Sequence, residues 1–371
     1  MEAPVENDTR PVRAGEEVDQ TRLVAWLREQ LPQCLIPAQS GPFDAGIDAA
    51  SLSIPPVMTQ FPGGHSNLTY LLQFGDLEVV VRRPPIGPVA PTAHDMGREF
   101  RWLSAMHRVF PLAPRPYLLC EDTSVIGVVF YAMERRRGIV IRSEEPPVLA
   151  GKPAARRAVS EAMIDTLADL HAVDVSSHGL SGLGRPSGFV ERQVRGWSER
   201  WARSQTTPLP EMDRLARWLH ANLPPDPAVP SVVHGDFKLD NVMFDPENLG
   251  RIVAVFDWEM SALGDPLVDL GILLAYWSPM SPPQQQDALT TVTHRPGYLT
   301  RAEVIDRYAR RSGRDVSVVR YYEIFAMFKV AVVIQQIYYR WTTGQTTDAR
   351  FANLDARVAY FAAHATRLAA L

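Results

Sequence analysis

The stretch HGDFKLDN (234–241) is followed further along the chain by FDWE (256–259). Two apolar runs, VMF (242–244) and IVAVF (252–256), lie between these polar groups, and DPENLG (245–250) separates the two runs. Short apolar runs separated by turn-forming residues are typical of buried strands joined in a hairpin. The pattern therefore predicts a β-hairpin with polar side chains gathered at its open end.

The open end of this hairpin is predicted to gather oxygen ligands that suit a magnesium ion. In the simplest register across the turn, Asn241 and Asp257 face each other there. An amide carbonyl and a carboxylate are hard oxygen donors that suit Mg²⁺. Asp236 lies on the loop that enters the first strand, and a third carboxylate beside a metal can orient a hydroxyl group and take its proton. The alternative is that these residues only cap backbone amides near a turn.

The composition excludes several classes of protein. The chain has 371 residues, 46% hydrophobic and 22% charged, which is typical of a globular protein of two lobes or domains. A net charge of −4 provides no global basic field for nucleic acid. The two cysteines, Cys34 and Cys120, lack the spacing of a zinc site or a disulfide framework and fit a reducing compartment. We expect a cytoplasmic protein without a nucleic-acid partner; its oligomeric state is left open.

Targeting and membrane segments are not expected. The N-terminus is polar and rich in acids, without the basic and apolar regions of a signal peptide. The longest apolar run (324–339) is interrupted by Lys329 and is short for a bilayer span. The run is therefore interpreted as a buried helix, and no membrane partner is expected.

Secondary-structure patterns divide the chain into a β-rich part and a helical part. A helix is predicted over 18–31. The next part is predicted to hold a helix over 94–109 and five strands, at 57–61, 68–74, 77–82, 117–121 and 125–133. Helices are predicted over 154–172, 189–204 and 210–223, and over most of 265–371. The expected fold class is α+β.

The predicted organisation has three parts. Residues 1–40 form an N-terminal tail and helix, and residues 41–134 form a small, nucleotide-binding lobe with a five-stranded antiparallel sheet. Residues 135–371 form a larger, mostly helical lobe that carries the hairpin and the substrate-binding part.

The motif HGDxxxxN, followed by an acid after a short hairpin, resembles the catalytic loop and metal-binding motif of protein-kinase-like phosphotransferases. HGD in place of HRD and DWE in place of DFG are similar to the aminoglycoside phosphotransferase family. The resemblance covers about residues 40–340 and implies a bilobal protein-kinase-like fold that uses ATP and Mg²⁺ to phosphorylate an alcohol group. It implies Asp236 as the catalytic base or hydroxyl-positioning residue, Asn241 and Asp257 as Mg²⁺ ligands, and His234 as a structural residue of the loop.

The same resemblance places nucleotide-binding residues in the small lobe. Backbone NH groups of a turn are expected to approach the phosphates, at Gly63, Gly64, His65, Ser66 and Asn67. Backbone groups of the lobe connector are expected to meet adenine, at Met133, Glu134 and Arg135.

A cation on the third strand completes the expected nucleotide site. Arg82 stands where the family usually has a lysine, and an arginine can still hold phosphate oxygens in a bidentate fork. Glu99, on the following helix, is its expected partner. The alternative for Arg82 is a solvated strand end.

Several segments resemble one branch of the family, whose relatives are fused in animals to acyl-CoA dehydrogenase domains. These segments include LHAVD (170–174) and DWEMSALGDPLVDLG (257–271). The resemblance assigns the acceptor wall to the C-terminal helices, and residues 281–371 hold 12 Lys or Arg and 7 Asp or Glu, a net charge of +5. This sign argues against a polycationic drug and favours a hydroxyacyl-CoA or a hydroxy acid as the small-molecule acceptor. Asp265 and Asp269 are expected to cap a helix and to brace the loop; the alternative is that they face the substrate.

Other functions remain as alternatives. One is an aminoglycoside or amino-alcohol kinase. Another is a nucleotide-binding pseudokinase or regulatory module, which only Arg82 in place of lysine supports. A protein kinase is disfavoured because no DFG and no APE-flanked activation loop follow the hairpin, and a serine hydrolase because no GxSxG elbow occurs.

Overall fold

The structure, a computed structural model, separates into two compact units, Met1–Arg137 and Gly138–Leu371. The residues that it describes are 8–34, 49–62, 67–86, 94–277, 292–346 and 348–371.

The small unit is built on a five-stranded antiparallel sheet in the order β1-β2-β3-β5-β4. Its strands are β1 Val57–Gln60, β2 Leu68–Phe74, β3 Leu77–Arg83, β4 Pro116–Cys120 and β5 Phe130–Glu134. The predicted sheet is therefore confirmed, but β5 begins at residue 130, five residues later than the predicted start at residue 125. Residues 123–127 form a turn instead, in which Gly127 has a φ of +86° and its N–H donates to the Thr123 carbonyl.

Two helices accompany this sheet, α1 Gln20–Gln30 and α2 Met96–Met106. Each begins at an aspartate, Asp19 or Asp95, whose carboxylate accepts a hydrogen bond from the first helical turn. The buried side of α1 packs into the same apolar core as the sheet, so the helix is part of the small unit's core. Ahead of it, Arg10 pairs with Gln60 of β1 through two backbone hydrogen bonds of 2.8 Å.

The large unit is mostly helical in its described part. Its helices are α3 Pro153–His171, α4 Phe189–Ser204, α5 Pro210–Ala221, α6 Leu267–Tyr276, α7 Arg301–Ser312, α8 Val319–Thr342 and α9 Leu354–Leu368. α8 contains the predicted buried helix and packs closely on α6, since a Cβ at Gly271 would lie 2.4 Å from the Tyr322 carbonyl oxygen. None of the described helices is long and apolar enough to cross a membrane.

Five short strands lie around the loop that carries Asp236 in the large unit. They are β6 Ile139–Val140, β7 Ser231–Val233, β8 Val242–Phe244, β9 Ile252–Val255 and β10 Ala262–Gly264. β6, β8 and β9 form one antiparallel sheet, and β7 pairs with β10 in another. The β8–β9 hairpin is the one that the sequence predicts.

The register of this hairpin differs from the prediction by one residue. Val242 lies opposite Val255, and the N–H of Phe256 donates to the carbonyl of Asn241 at 2.8 Å. The expected pairing of Asn241 with Asp257 is therefore wrong. A register shift after Met243 makes the two arms unequal. Every residue of β8 and β9 is buried, so the strands lack the alternation of apolar and polar side chains that would have fixed the register in advance.

Candidate active site

The loop that carries Asp236 begins where β7 ends and requires glycine at its second residue. Gly235 has a φ of +82°, and a Cβ there would lie 2.7 Å from the carbonyl oxygen of Met260. Only glycine adopts this conformation without strain and leaves space for that backbone. After Asp236 the chain passes through the 3₁₀ turn Leu239–Asn241 directly into β8.

Two side chains fix the carboxylate of Asp236. Lys238 Nζ donates to its Oδ2 at 2.8 Å, and Asn241 Nδ2 donates to the same oxygen at 2.9 Å. Asn241 Nδ2 also donates to the backbone carbonyl of Asp236 at 2.8 Å. The other carboxylate oxygen, Oδ1, takes no part in these bonds. The carboxyl group is therefore held in one orientation with one oxygen left to receive a hydroxyl group.

The charges around Asp236 keep it ionised. Burial by itself would raise its pKa, but the positive charges of Lys238 and Lys329 outweigh that effect and hold the pKa below the ordinary value of an aspartate. The pKa of Lys238 is in turn raised, although burial opposes this, because Tyr276 and Asp236 both favour its charged form. An ionised carboxylate only accepts hydrogen bonds, as a group that is to take a proton must.

Asn241 and Asp257 present the oxygen atoms that the sequence assigns to a metal. The Nδ2 group of Asn241 faces Asp236, so the Oδ1 atom of Asn241 points away from Asp236. Asp257 directly follows the Phe256 that pairs with Asn241, and it adopts a left-handed conformation with a φ of +69°. That backbone conformation is uncommon outside glycine and is often found at functional sites.

This donor set fits Mg²⁺ bound together with a substrate. Mg²⁺ in proteins commonly takes one or two side-chain oxygens and completes its shell with phosphates and water. Within the described residues, no group of three or more His, Cys, Asp or Glu side chains could hold a metal ion alone. Glu259 lies in the following 3₁₀ turn, Trp258–Met260, and is partly buried.

Asp269, near the start of α6, holds the backbone of the loop that carries Asp236. Its Oδ2 accepts from the His234 N–H at 2.6 Å, and its Oδ1 accepts from the Gly235 N–H at 2.7 Å. His171 at the end of α3 lies 3.2 Å from the same carboxylate through Nε2, and its Nδ1 bonds to the Tyr308 hydroxyl at 2.7 Å. Asp269 is completely buried and acts as a brace, as the sequence led us to expect.

Asp265 and His234 also have structural contacts. Asp265 accepts from the Leu267 N–H at 2.9 Å, and its other oxygen accepts from the Tyr322 hydroxyl. The His234 ring is fully buried, with Nε2 bonded to the Phe256 carbonyl at 2.9 Å and Nδ1 accepting from the Asp236 N–H at 3.3 Å. Burial lowers the pKa of His234, so the imidazole is neutral and ties β9 to the loop.

The small unit holds the second group of expected site residues. Arg82 Nε donates to Glu99 Oε2 at 3.1 Å, so the expected ion pair is present. The Glu99 side chain is only 1% exposed, which makes it a buried partner and not a solvated helix residue. Asn67 is buried just before β2. The nucleotide-binding role of these residues stays a prediction.

The remaining expected nucleotide residues lie in the turn and the connector. Gly63, Gly64, His65 and Ser66 lie outside the described residues. Met133 and Glu134 end β5, and the Glu134 carboxylate accepts from the Arg115 N–H at 2.6 Å. The Arg135 side chain pairs with Asp8 at 2.6 Å and lies over the Phe61 ring at 4.8 Å. Because the Glu134 and Arg135 side chains have these partners, a contact of the connector with adenine would use backbone groups.

Sequence reasoning missed two lysines beside Asp236. Lys238 lies within the quoted motif, and its cationic side chain two residues after Asp236 was the available signal. Lys329, on α8, donates through Nζ to the Gly235 carbonyl at 2.5 Å and is 8% exposed. Its signal in the sequence is a lysine inside an otherwise apolar helix.

Comparison with known proteins identifies the family. Residues 57–304 match the model of the phosphotransferase enzyme family. Acyl-CoA dehydrogenase family member 11 of Rattus norvegicus is 35% identical over 352 residues, which are 94% of this chain and 43% of that protein. The chain thus spans less than half the length of this relative.

Solved structures agree with the family model. The crystal structure of a protein from Ralstonia eutropha JMP134, assigned to the aminoglycoside phosphotransferases, is 31% identical with a TM-score of 0.76 and covers 95% of this chain and 99% of its own. The aminoglycoside phosphotransferase APH(4)-Ia, in a ternary complex with AMP-PNP and hygromycin B, has a TM-score of 0.54 at 15% identity and covers 85% and 93%. This second likeness concerns the fold alone.

The predicted kinase-like fold and phosphotransferase class are therefore confirmed. The matched residues include Asp236, the Asn241 that donates to its carboxylate, and Asp257. On the family match and the 31% identical structure, the chain belongs to the phosphotransferase enzyme family.

Proposed function

We propose that this chain is an ATP- and Mg²⁺-dependent kinase that transfers the γ-phosphate to a hydroxyl group of a small molecule. The observation that carries the proposal is the ionised Asp236, whose Oδ2 is fixed by Lys238 and Asn241. Its Oδ1 is the oxygen that would orient the acceptor hydroxyl and receive its proton. The new oxygen–phosphorus bond would form as the bond between the γ-phosphorus and the bridging oxygen breaks and ADP leaves.

The other polar groups divide the remaining work. Asn241 Oδ1 and the Asp257 carboxylate would hold Mg²⁺, which when bound neutralises charge on phosphate oxygens. Arg82, oriented by the buried Glu99, would bind phosphate oxygens through its guanidinium group. ATP as the donor is supported by the AMP-PNP complex of a protein with the same fold.

The acceptor is proposed to be a hydroxyacyl-CoA or a hydroxy acid. The relative named for an acyl-CoA dehydrogenase family supports an acyl compound. The net charge of +5 over residues 281–371 also disfavours a polycation. Part of that charge is balanced inside the large unit, however, since Arg307 pairs with Asp165 and Arg311 with Asp169 of α3. The individual cations near Asp236 therefore matter more than the sum over the segment.

The proposal is tested by ATP turnover with Mg²⁺ against hydroxyacyl-CoAs, hydroxy acids, aminoglycosides and amino alcohols. We expect one of the first two classes to raise turnover. In Asp236→Asn, turnover with that acceptor should fall by about 10²–10⁴-fold, the usual share of a general base. AMP-PNP binding should persist in that variant, because Asp236 acts on the acceptor and not on the nucleotide.

Other outcomes would point to the alternatives. Phosphorylation of aminoglycosides or amino alcohols alone would contradict the acyl acceptor but keep the kinase. Tight AMP-PNP binding without turnover on any acceptor, and without a difference between the wild type and Asp236→Asn, would favour a nucleotide-binding module.

A further inference from the structure

Trp197, Arg200 and Lys329 form a cluster in the large unit, here called the cation cluster. Trp197 and Arg200 lie one turn apart on α4, and Lys329 lies on α8. The Arg200 guanidinium is 4.5 Å from the centroid of the Trp197 ring, and Lys329 Nζ is 5.4 Å from it. Both distances are within the range of a cation–π contact. The indole ring thus holds two positive charges close together.

The cation cluster adjoins the catalytic loop through Lys329. The Lys329 ammonium donates to the carbonyl of Gly235, the residue before Asp236. The negative charge of Asp236 favours the protonated form of Lys329, whereas the positive charge of Arg200 disfavours it. An acceptor whose hydroxyl group contacts Asp236 would therefore have these cations within reach.

The cations of this cluster lack the ion pairs that other buried or partly buried cations of the large unit form. Arg156 pairs with Glu145 at 2.7 Å, and Lys238 pairs with Asp236 at 2.8 Å. Across the described ranges, neither Arg200 nor Lys329 forms an ion pair with a carboxylate. Burial lowers the pKa of both groups. For Lys329, the negative charges of Asp236 and Asp269 offset this effect only in part. An anion bound beside the cluster would therefore stabilise it.

We infer that Arg200 and Lys329 bind an anionic group of the acceptor, a carboxylate or a phosphate, and so direct its hydroxyl group to Asp236. This inference rests on the proposed kinase function and assigns the residues that recognise the acceptor. An ammonium group has three donors, and only one of those on Lys329 is engaged by Gly235. A guanidinium adds a planar fork that matches carboxylate and phosphate oxygens.

A purely structural role for Lys329 predicts a different pattern. If Lys329 only held the Gly235 carbonyl, replacing Lys329 would lower turnover and stability. Replacing Arg200 would then have no effect on binding of the acceptor. Substituting both residues separates the two roles. Arg203, an exposed arginine on the same helix, provides a matched control.

The experiment measures binding by isothermal titration calorimetry, independently of phosphoryl transfer. The probes are 3-hydroxybutyrate, 3-hydroxybutyryl-CoA and the uncharged methyl 3-hydroxybutyrate, each added to the full chain with Mg²⁺ and AMP-PNP. The proteins are wild type, Arg200→Met, Lys329→Met and Arg203→Met. We expect Arg200→Met and Lys329→Met each to weaken binding of an anionic probe by at least about tenfold, the scale of one lost charged hydrogen bond. The affinity for AMP-PNP should be the same in all four proteins. The affinity of Arg203→Met for the anionic probes should match that of wild type.

The outcomes separate the anion source and the two proposals. If Arg200→Met and Lys329→Met bind 3-hydroxybutyrate more weakly than wild type does, the anion that the cluster binds is a carboxylate. If only the binding of 3-hydroxybutyryl-CoA is weakened, the anion is a phosphate of the CoA group. Equal affinity of wild type and Arg200→Met for both anionic probes, or no binding of either probe by wild type, would overturn the anion site. If wild type binds an anionic probe through these residues but never phosphorylates it, the anion site stands and the proposed acceptor class fails.

Discussion

The catalytic loop of the large unit and the Arg82–Glu99 pair of the small unit hold their charges in different ways. In the loop, Asp236 and Asp269 each accept several hydrogen bonds, and those to Asp269 fix successive backbone N–H groups. In the small unit, the buried Glu99 carboxylate orients the Arg82 guanidinium through an ion pair of 3.1 Å. In the proposed function, Asp236 is a proton acceptor that must be placed to within a fraction of an ångström, whereas Arg82 only has to bring a positive charge near the phosphates. On this proposal, an arginine can stand in place of a lysine, whereas the HGD motif has to be intact.

The largest effect that tests this contrast is expected from Asp269→Asn. An asparagine there keeps one acceptor but turns an N–H₂ group toward a backbone N–H, and it removes the buried charge. We expect the free energy of unfolding to fall by about 3 kcal/mol, as for a lost charged hydrogen bond and an unsatisfied buried donor. Urea denaturation measures the change.

Asp169→Asn is the control for this variant. Asp169 pairs with Arg311, but their side chains are 54% and 51% exposed. An exposed pair contributes at most about 1 kcal/mol, so this variant should stay close to wild type. Equal losses in the two variants would show that the loop is no more rigidly held than the surface.

A smaller effect is expected from Glu99→Gln in the small unit. The variant leaves the Arg82 guanidinium without the charge that orients it. We expect the KM for ATP to rise by about tenfold with a smaller change in kcat, on the scale of one charged hydrogen bond. Steady-state kinetics at saturating acceptor measures both constants.

Two further variants sharpen this result. Glu29→Gln, at an exposed position on α1, should leave the KM for ATP unchanged. Arg82→Lys should retain most of the affinity if a single cation is sufficient. A collapse of activity in Arg82→Lys would show that the pair demands as precise a geometry as the loop.

The smallest effect is a pH dependence that His234 confers on stability. Burial lowers the pKa of His234 in the folded chain, although nearby carboxylates oppose this. Below the unfolded pKa of about 6.5, the unfolded chain therefore binds a proton that the folded chain does not. Stability should fall as the pH drops from 7 toward 5, by up to about 1.4 kcal/mol per pH unit.

Denaturation at pH 7 and pH 5.5, for wild type and His234→Gln, isolates this contribution. His107 and His364 also have lowered pKa values and remain in both proteins, so the difference in slope reports His234. An identical slope in the two proteins would mean that the pKa of His234 does not differ between the folded and the unfolded chain.

Much of the fold was predictable because its patterns are local. The five strands of the small sheet follow alternation and turn residues, and α4 begins and ends at the predicted residues 189 and 204. The hairpin register was not predictable, since its strands are buried on both faces. Likewise, the turn at residues 123–127 interrupts a continuous β-like pattern that by itself favoured a longer strand.

The sequence by itself brought together the polar residues of the proposed catalytic loop, because Asp236, Asn241 and Asp257 lie within 22 consecutive residues around one hairpin. Only the tertiary structure decided what surrounds them. Asp269 reaches Gly235 from 34 residues away, and Lys329 reaches it from 94 residues away on α8. Helical and strand periodicities specify which face of an element is buried, but not which distant side chain meets it. The backbone N–H groups that the brace holds, and the cation cluster, therefore become visible only once the helices are packed.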